Sequence, residues 1–282
     1  MIVAVIGCSQ GCGRLTTIAL AKRGVQVRAL ARTTDKSRAA LEPDLSSEER
    51  ARISYMTFDV TTEVDNMASA LRDCDAVIFA ASASHLRPFG FGNAHPQSPQ
   101  YVDYLGVKKV AHACVKNQVY RMVLISSFDA DKKMMWVNVA LNSLLGNVSS
   151  FKVKGEEALR ETFKSANKKV GDLEQGQYTY AIIRPGFLKN RKGAGPGKIK
   201  AGGRIKGSIG IAREDVAEIC AEAAVSGVPV GTYDFTTHTG KPKGGYWVEK
   251  RNRTPVANSW KELLEHARSL ESLGKKRDVV QN

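Results

Sequence analysis

Residues 1–32 read MIVAVIGCSQGCGRLTTIALAKRGVQVRALAR, and this stretch decides the fold. The apolar run at 2–6 predicts a β-strand, and the glycine-rich residues 7–13 that follow it predict a turn. Residues 14–23 have the pattern of a helix, and a second apolar run at 25–30 predicts a second strand. A strand, a helix and a second strand in this order form a βαβ unit whose two strands lie parallel.

The turn has the glycine spacing G-x-x-x-G-x-G, with a strand before it and a helix after it. Unpaired N–H groups at the start of that helix, together with the helix dipole, attract a phosphate group. Gly7 can take a turn conformation that costs other residues energy, and Gly11 and Gly13 lack a Cβ atom, so a pyrophosphate can approach closely. The pattern predicts a dinucleotide-binding site, and the alternative is a purely structural turn. The predicted phosphate-binding residues are Gly7, Ser9, Gln10, Gly11, Cys12 and Gly13.

Strand and helix patterns alternate along the rest of the chain, which predicts an α/β fold with a doubly wound parallel sheet of the Rossmann type. This domain is expected to occupy residues 1–240, with a small lobe at about 186–212 that faces a substrate or a partner. Residues 241–282 are expected to form a basic C-terminal extension with a terminal helix. The further predicted strands are 53–58, 75–82, 121–127, 178–184 and 232–236, and the further predicted helices are 64–71, 101–116, 149–163, 214–225 and 259–272.

The composition suits one large α/β domain. The chain has 282 residues, of which 43% are hydrophobic, enough for a sizeable core. No apolar run approaches the roughly 20 residues needed to cross a bilayer, so no transmembrane segment is predicted. Five cysteines show no metal-ligand spacing, so no metal site is predicted, and their odd number suggests a reducing compartment. We therefore expect a soluble protein of the cytoplasm or of an organelle matrix or stroma.

Two of the cysteines, Cys8 and Cys12, stand inside the glycine turn. They are interpreted as small residues that fill a tight turn. The alternative is a redox-sensing thiol, because the start of a helix favours the thiolate form.

The chain carries a formal net charge of +14, from 42 basic and 28 acidic residues. A charge of this size implies a negatively charged partner, and a phosphorylated cofactor accounts for only part of it. The basic residues concentrate at 189–206, 241–253 and 275–277, where aromatic residues are sparse. Nucleic-acid binding is disfavoured, since base-stacking platforms need more aromatic side chains. An acidic protein complex or an anionic membrane surface fits these segments at least as well, and the alternative is that they are solvated loops.

A set of short motifs occurs in a fixed order between residues 2 and 225. Besides the glycine turn, the set contains VRALAR (27–32), FDV (58–60), DAVIFAA (75–81), VDY (102–104) with Gly106, VLISS (123–127), KGEEALR (154–160), IRPGFL (183–188) and REDVA (213–217). Each motif is weak alone, but the ordered set resembles the atypical short-chain dehydrogenase/reductases, in particular the NmrA-like NAD(P)-binding family. The resemblance implies a Rossmann domain that binds a nicotinamide dinucleotide.

The resemblance implies NADP as the cofactor, with NAD less favoured. Arg32 follows the second strand, at the position where an acidic residue would bind the ribose hydroxyl of NAD. An arginine there, with Arg28 nearby, suits the 2′-phosphate of NADP, and the alternative is two solvated surface arginines. Asp59 and Val60 are expected to flank the adenine.

Three further groups of residues are implied by the resemblance, each at the end of a predicted strand. They are Ala80, Ala81 and Ser82, which line the cofactor; Ser126 and Ser127, which lie near the nicotinamide; and Pro185, Gly186 and Phe187, which lie beside the nicotinamide and the substrate.

The chain departs from the family at the catalytic tyrosine. Active members carry a tyrosine four residues before a lysine, on one face of the helix after the fifth strand. Lys154 matches that lysine and is implied to bind the cofactor ribose, but the position four residues earlier is Ser150, whose hydroxyl is a far weaker acid than a phenol. The implied catalytic residues are Ser126, Ser127 and Lys154.

Two functions follow from this departure. The first is an oxidoreductase that uses NADPH to reduce a small carbonyl or enone compound. The second is a catalytically degenerate NADP(H)-binding protein that acts as an accessory subunit or assembly factor of a larger respiratory or photosynthetic complex. The basic segments supply the docking surface in the second case.

Overall fold

The computed structural model describes residues 1–87, 95–128, 147–170, 176–202, 210–226, 231–237, 246–249 and 252–269. The strands are β1 (Ile2–Ile6), β2 (Gln26–Ala31), β3 (Ile53–Thr57), β4 (Ala76–Phe79), β5 (Arg121–Ile125), β6 (Thr179–Pro185), β7 (Leu188–Lys189), β8 (Ile199–Gly202), β9 (Ile211–Ala212), β10 (Gly231–Thr237), β11 (Tyr246–Glu249) and β12 (Asn252–Pro255). The helices are α1 (Gly11–Lys22), α2 (Thr34–Leu41), α3 (Ser47–Ala51), α4 (Val64–Leu71), α5 (Val107–Lys116), α6 (Val148–Val170), α7 (Arg213–Val225) and α8 (260–269). A π-helical turn, Gln100–Gly106, leads directly into α5.

An eight-stranded sheet runs through the centre of the fold in the order β3-β2-β1-β4-β5-β6-β10-β8. Neighbouring strands are parallel from β3 to β10, and the edge strand β8 runs antiparallel to β10. Two short pairs, β7 with β9 and β11 with β12, lie outside this sheet. The strand order reverses between β1 and β4, and a crevice at such a reversal is the usual ligand site of an open α/β sheet. The Rossmann-type α/β fold predicted from the sequence is therefore confirmed.

Helices cover both faces of the sheet, and each face has its own buried core. On one face α1 packs against α7, and Leu20 and Ile219 are buried in the same hydrophobic cluster as strand β1. On the other face α4, α5 and α6 contribute Met67, Val110 and Leu159 to a second cluster. Among the described residues, no helix combines the length and the hydropathy that a membrane crossing requires.

The terminal helix α8 packs into the first of these cores. Its Leu263, Leu264 and Ala267 are buried in one cluster with Ile199 of β8 and Phe235 of β10. Helix α8, which belongs to the predicted C-terminal extension, therefore shares the core of the Rossmann domain. The boundary at residue 240 stays a prediction.

Among the helices whose bounds differ from those predicted, α5 begins only at Val107, because the π-helical turn precedes it, and α1 and α6 are each longer at one end. Helix α1 begins at Gly11, because the glycines after Gln10 form its first turn and do not precede it. Helix α6 continues to Val170, seven residues past its predicted end, because residues 164–170 keep a helical pattern in which Ala166 is buried and polar side chains face outward.

Candidate cofactor and active site

A crevice opens at the carboxyl ends of β1, β2, β3 and β4, and it collects much of the predicted cofactor site. The predicted residues that line it are Gly7, Ser9, Gln10, Arg32, Asp59, Val60, Ala80, Ala81 and Ser82. The loop after β4 adds Ser84, Pro96 and Gln97, which the sequence did not single out. Because parallel strands end at one edge of the sheet, residues far apart in sequence meet here. Their role in binding a cofactor stays a prediction.

The glycine turn is built so that a side chain would break it. Gly7 has a φ of +85°, and a Cβ atom there would lie 2.7 Å from the backbone nitrogen of Ala81. A Cβ atom on Gly13 would overlap the carbonyl oxygen of Gly7. The turn, β4 and the start of α1 therefore approach one another as closely as their backbones allow.

The first turn of α1 is open to an anion. Its N-cap residue, Gln10, makes no side-chain hydrogen bond to the helix, and no acidic residue stands in the first turn. The leading N–H groups of a helix have no carbonyl partner within the helix, and they carry its positive partial charge. Gly11 has a φ of +56° and no Cβ atom, so no side chain at this position blocks an anion from reaching these N–H groups. The residues present fit the diphosphate of a dinucleotide.

Both cysteines of the turn are buried, at 0% exposure for Cys8 and 8% for Cys12. Burial raises the pKa of the Cys8 thiol, and it raises the pKa of the Cys12 thiol to about 11. The nearby charge of Arg213 opposes the shift at Cys12 without cancelling it. The thiolate is therefore disfavoured at both positions, which supports the interpretation that these cysteines fill the turn.

The two arginines predicted to bind the 2′-phosphate lie apart. Arg32 lines the crevice, but the guanidinium of Arg28 donates hydrogen bonds to the carbonyl oxygens of Ala70 (3.0 Å) and Arg72 (2.6 Å). Four residues of extended strand span about 13 Å, so Arg28 lies well below the edge where the crevice opens. The prediction that Arg28 binds the 2′-phosphate is therefore wrong, because its guanidinium binds backbone carbonyl oxygens outside the crevice. Arg32 remains the candidate for binding the 2′-phosphate.

The lysine that enters the site from α6 is Lys152. Its Nζ lies 2.6 Å from Oδ1 of Asp103, and the two side chains are 13% and 1% exposed. Lys154, the predicted residue, is exposed, with its Nζ 5.2 Å from the ring centroid of Phe151. Residues two positions apart on a helix point about 200° apart, so they cannot both face the sheet. The placement of Lys154 is therefore corrected, and Lys152 takes the position foreseen for it.

Asp103 connects this lysine to the cofactor crevice. Besides Lys152, its carboxylate accepts hydrogen bonds from Oγ of Ser82 (3.0 Å) and from the backbone N–H of Ala83 (3.1 Å). These contacts fix the segment after β4 against α6. The sequence offered one signal for Asp103, the VDY motif, but no signal that it pairs with Lys152.

A small pocket lies between Lys152, Asp103 and Ser126 at the end of β5. Ser126 is 6% exposed, and within the described part of the chain its Oγ has no hydrogen-bond partner. A buried hydroxyl without a partner is costly, which is typical of a group that meets a ligand. Ala81 lines both this pocket and the cofactor crevice, so the two are neighbours that share a wall. Oγ of the neighbouring Ser127 lies 3.5 Å from the carbonyl oxygen of Phe128.

Two contacts hold α6 in the position that Lys152 needs. Gly155 lies against the carbonyl oxygen of Asp103, so closely that a Cβ atom there would overlap it. Glu156 is fully buried and forms a bidentate ion pair with Arg184 of β6, at 2.9 Å and 2.6 Å. Arg160 adds a third hydrogen bond to the Glu156 carboxylate, at 2.8 Å.

The predicted residues at the end of β6 follow a strand that is paired with the segment 126–128, and they do not line the crevice. Ser126 donates its N–H to Ile183 at 2.8 Å, and Phe128 donates its N–H to Pro185 at 3.0 Å. Gly186 is held by β10 through its N–H, and Phe187 is 76% exposed. Phe187 therefore presents an apolar ring to solvent at the end of the sheet where Ser126 lies.

The crevice and the glycine turn are those of a nucleotide-binding Rossmann domain, and residues 7–226 match the profile of the NAD(P)H-binding family. The match covers well over half of the chain, so this protein belongs to that family. The resemblance drawn from the sequence motifs is confirmed.

The chain is also similar to individual proteins and solved structures. The UPF0659 protein YMR090W of Saccharomyces cerevisiae is 27% identical over 79% of this chain and 86% of its own length. Among solved structures, ChuY, described as an anaerobillin reductase from Escherichia coli, has a TM-score of 0.62 at 20% identity, covering 86% of this chain and 100% of its own. A short-chain dehydrogenase/reductase of Veillonella parvula in complex with NADP has a TM-score of 0.58 at 12% identity, covering 86% and 98%. At these identities the two structures establish a shared fold.

Proposed function

We propose that this protein is an NADP(H)-dependent reductase of a small carbonyl or enone compound. The observation that carries the proposal is that Ala81 separates two neighbouring sites and lines both: the crevice with Arg32 and the pocket with Lys152 and Ser126. Arg32 would hold the 2′-phosphate of a dinucleotide and the glycine turn its diphosphate, which leaves the nicotinamide for the pocket with Lys152. The NADP complex of the Veillonella parvula protein and the reductase description of ChuY support this choice of cofactor and reaction class.

The residues of the pocket suit the polarisation of an acceptor oxygen. When bound, NADPH supplies a hydride for an electrophilic carbon. Ser126 donates a hydrogen bond from its unpartnered Oγ to the substrate oxygen, and Lys152, held by Asp103, stabilises the negative charge that develops there. Val148 stands four residues before Lys152, so this face of α6 offers no phenol, and water is the proton source.

Replacing Arg32 by glutamine is expected to weaken NADPH binding about 10- to 100-fold, because charge-assisted hydrogen bonds to the 2′-phosphate are lost. NADH affinity is expected to change less than about twofold, because NADH lacks that phosphate. Isothermal titration calorimetry with both cofactors measures the difference. Arg28→Gln is the matched control, and it should leave both affinities unchanged. An equal loss for NADPH and NADH in the Arg32 variant would contradict the assignment.

Replacing Lys152 by methionine is expected to lower NADPH-dependent turnover at least about 100-fold, the scale of one lost electrostatic catalyst. The assay follows NADPH fluorescence with a panel of small carbonyl, enone and quinone acceptors. The control is Lys154→Met, two positions away on the same helix and exposed, which should retain activity. Calorimetric binding of NADPH separates a catalytic loss from a folding loss, since the Lys152 variant should still bind the cofactor. Full activity in that variant would rule out this mechanism.

The non-catalytic alternative has one observation in its favour, the lack of a tyrosine at the expected position on α6. The same assay distinguishes the two functions. NADPH binding without turnover of any acceptor, together with co-purification in a large complex, would favour an accessory subunit or assembly factor. Docking of the basic segments on an acidic protein or an anionic membrane surface stays a proposal.

A further inference from the structure

Arg213, the first residue of α7, lies at the mouth of the glycine turn. Its Nε is 4.0 Å from the place where a Cβ atom of Gly11 would stand. Its Nη1 donates a hydrogen bond of 2.6 Å to Oδ1 of Asn190, which follows β7. The packing of α1 against α7 thus delivers a guanidinium to the open first turn of α1 from a helix about 200 residues away in the chain.

The charge of Arg213 is available to an anion. It is half-buried, and among the described residues no carboxylate forms an ion pair with it. Its field reaches the first turn of α1, because it opposes the burial-driven rise in the pKa of Cys12. A guanidinium has several N–H donors in a fixed fork, so one can stay on Asn190 while others meet a phosphate oxygen.

The start of α7 also anchors the segment that follows β7. Glu214 accepts a hydrogen bond from the N–H of Gly193 at 2.7 Å. Asp215, buried at 1% exposure, accepts hydrogen bonds from the N–H groups of Ala194 (2.9 Å) and Gly195 (3.0 Å). Residues 213–215 therefore each bind part of the segment 190–195. Arg213, which binds Asn190, is also the residue that lies near Gly11.

We propose that Arg213 binds the diphosphate of the dinucleotide from the side opposite the glycine turn and, through Asn190, links cofactor binding to the segment 190–195. This inference rests on the proposed cofactor site. It assigns the two arginines different tasks: Arg32 recognises the 2′-phosphate, which NADP alone carries, and Arg213 recognises the diphosphate, which NADP and NAD share. Bound cofactor then stiffens the segment that continues from the exposed ring of Phe187 toward β8.

The test compares Arg213→Gln with the wild-type chain and with Arg23→Gln. Arg23 pairs with Glu218 and Glu222 at the far end of the same α1–α7 contact, so its loss disturbs the packing but not the turn. Arg213→Gln is expected to weaken NADPH and NADH by the same factor, about 10- to 100-fold, and to leave 2′-AMP unchanged, because 2′-AMP has no diphosphate. Arg23→Gln should bind all three ligands within about twofold of wild type.

Three outcomes separate this inference from the proposed function. If the wild-type chain binds neither dinucleotide, the proposed function itself is wrong. If wild type binds and Arg213→Gln binds equally well, or loses NADPH alone, only the role of Arg213 is overturned. Arg213→Lys guards against a folding artefact, since it keeps the charge and should bind with intermediate affinity.

Hydrogen exchange tests the link to the segment. NADPH is expected to slow exchange of the amides at 193–195 in wild type, and this added protection should be absent in Arg213→Gln even at saturating NADPH. Equal protection in both chains would overturn the coupling. An absence of protection in wild type would do the same.

Discussion

Replacing Gly13 by alanine is expected to lower the free energy of unfolding by about 3 kcal/mol or more and to abolish NADPH binding. The new Cβ atom would overlap the carbonyl oxygen of Gly7, which is backbone and cannot rotate away. Overpacking of a tight contact costs about 1–3 kcal/mol when side chains can adjust, and more when they cannot. Relief requires that α1 move away from β1, and this movement opens the turn that is proposed to hold the diphosphate. Chemical denaturation and calorimetry measure the two effects.

The control for Gly13 is Gly24→Ala. Gly24 has a φ of +78° and no atom within 4 Å of an added Cβ, so its replacement meets backbone strain alone. That strain costs about 1–2 kcal/mol, and NADPH binding should survive it. A Gly13→Ala chain that unfolds like wild type would show that α1 and β1 can separate without cost, contrary to the packing described above.

Replacing Glu156 by alanine is expected to destabilise the protein by about 3–5 kcal/mol, the scale of breaking a buried ion pair by removing one member. The guanidinium of Arg184, with 6% of its side chain exposed, would lose both oxygens of its bidentate partner. Arg160 would lose the same carboxylate but could turn to solvent, since its side chain is 32% exposed. Because this pair ties α6 to β6, the position of Lys152 beside Asp103 should be lost as well.

The neighbouring Glu157 provides the matched control for Glu156. It is exposed on the same helix, and its replacement by alanine should change stability by less than about 0.5 kcal/mol. Urea denaturation of both variants gives the comparison. A Glu156→Ala chain as stable as the Glu157→Ala chain would contradict the structural role assigned to the Glu156–Arg184 ion pair.

Local patterns in the sequence were sufficient to predict the glycine turn and the order of the strands, although β4 and β5 end two or three residues earlier than predicted. A strand, a glycine turn and a helix are adjacent in the chain, so Gly7 could be chosen from the local pattern. Arg32 and Ala81, each at the end of a predicted strand, were implied by the family resemblance. The prediction for Arg28 was wrong, because Arg28 lies within β2 and not at the end of the strand, where the crevice opens. Its partners, two backbone carbonyls at the end of α4, are contacts that no local pattern encodes.

The choice between Lys152 and Lys154 depended on helical phase. Both belong to α6, and a motif spacing selects one of them without knowing which side of the helix meets the sheet. Phase is set by tertiary contacts, here Gly155 against Asp103 and Glu156 against Arg184. The position of Arg213 beside Gly11 is likewise set by a tertiary contact, the packing of α7 on α1, and no local pattern predicts it.

The burial of Leu263, Leu264 and Ala267 has a consequence for how this protein is made. Helix α8 fills the same core as β8 and β10, although it is the last described element of the chain. During synthesis the apolar side chains of β8 and β10 that α8 covers stay exposed until residue 269 has left the ribosome. Until then the nascent chain exposes hydrophobic surface of the kind that chaperones recognise.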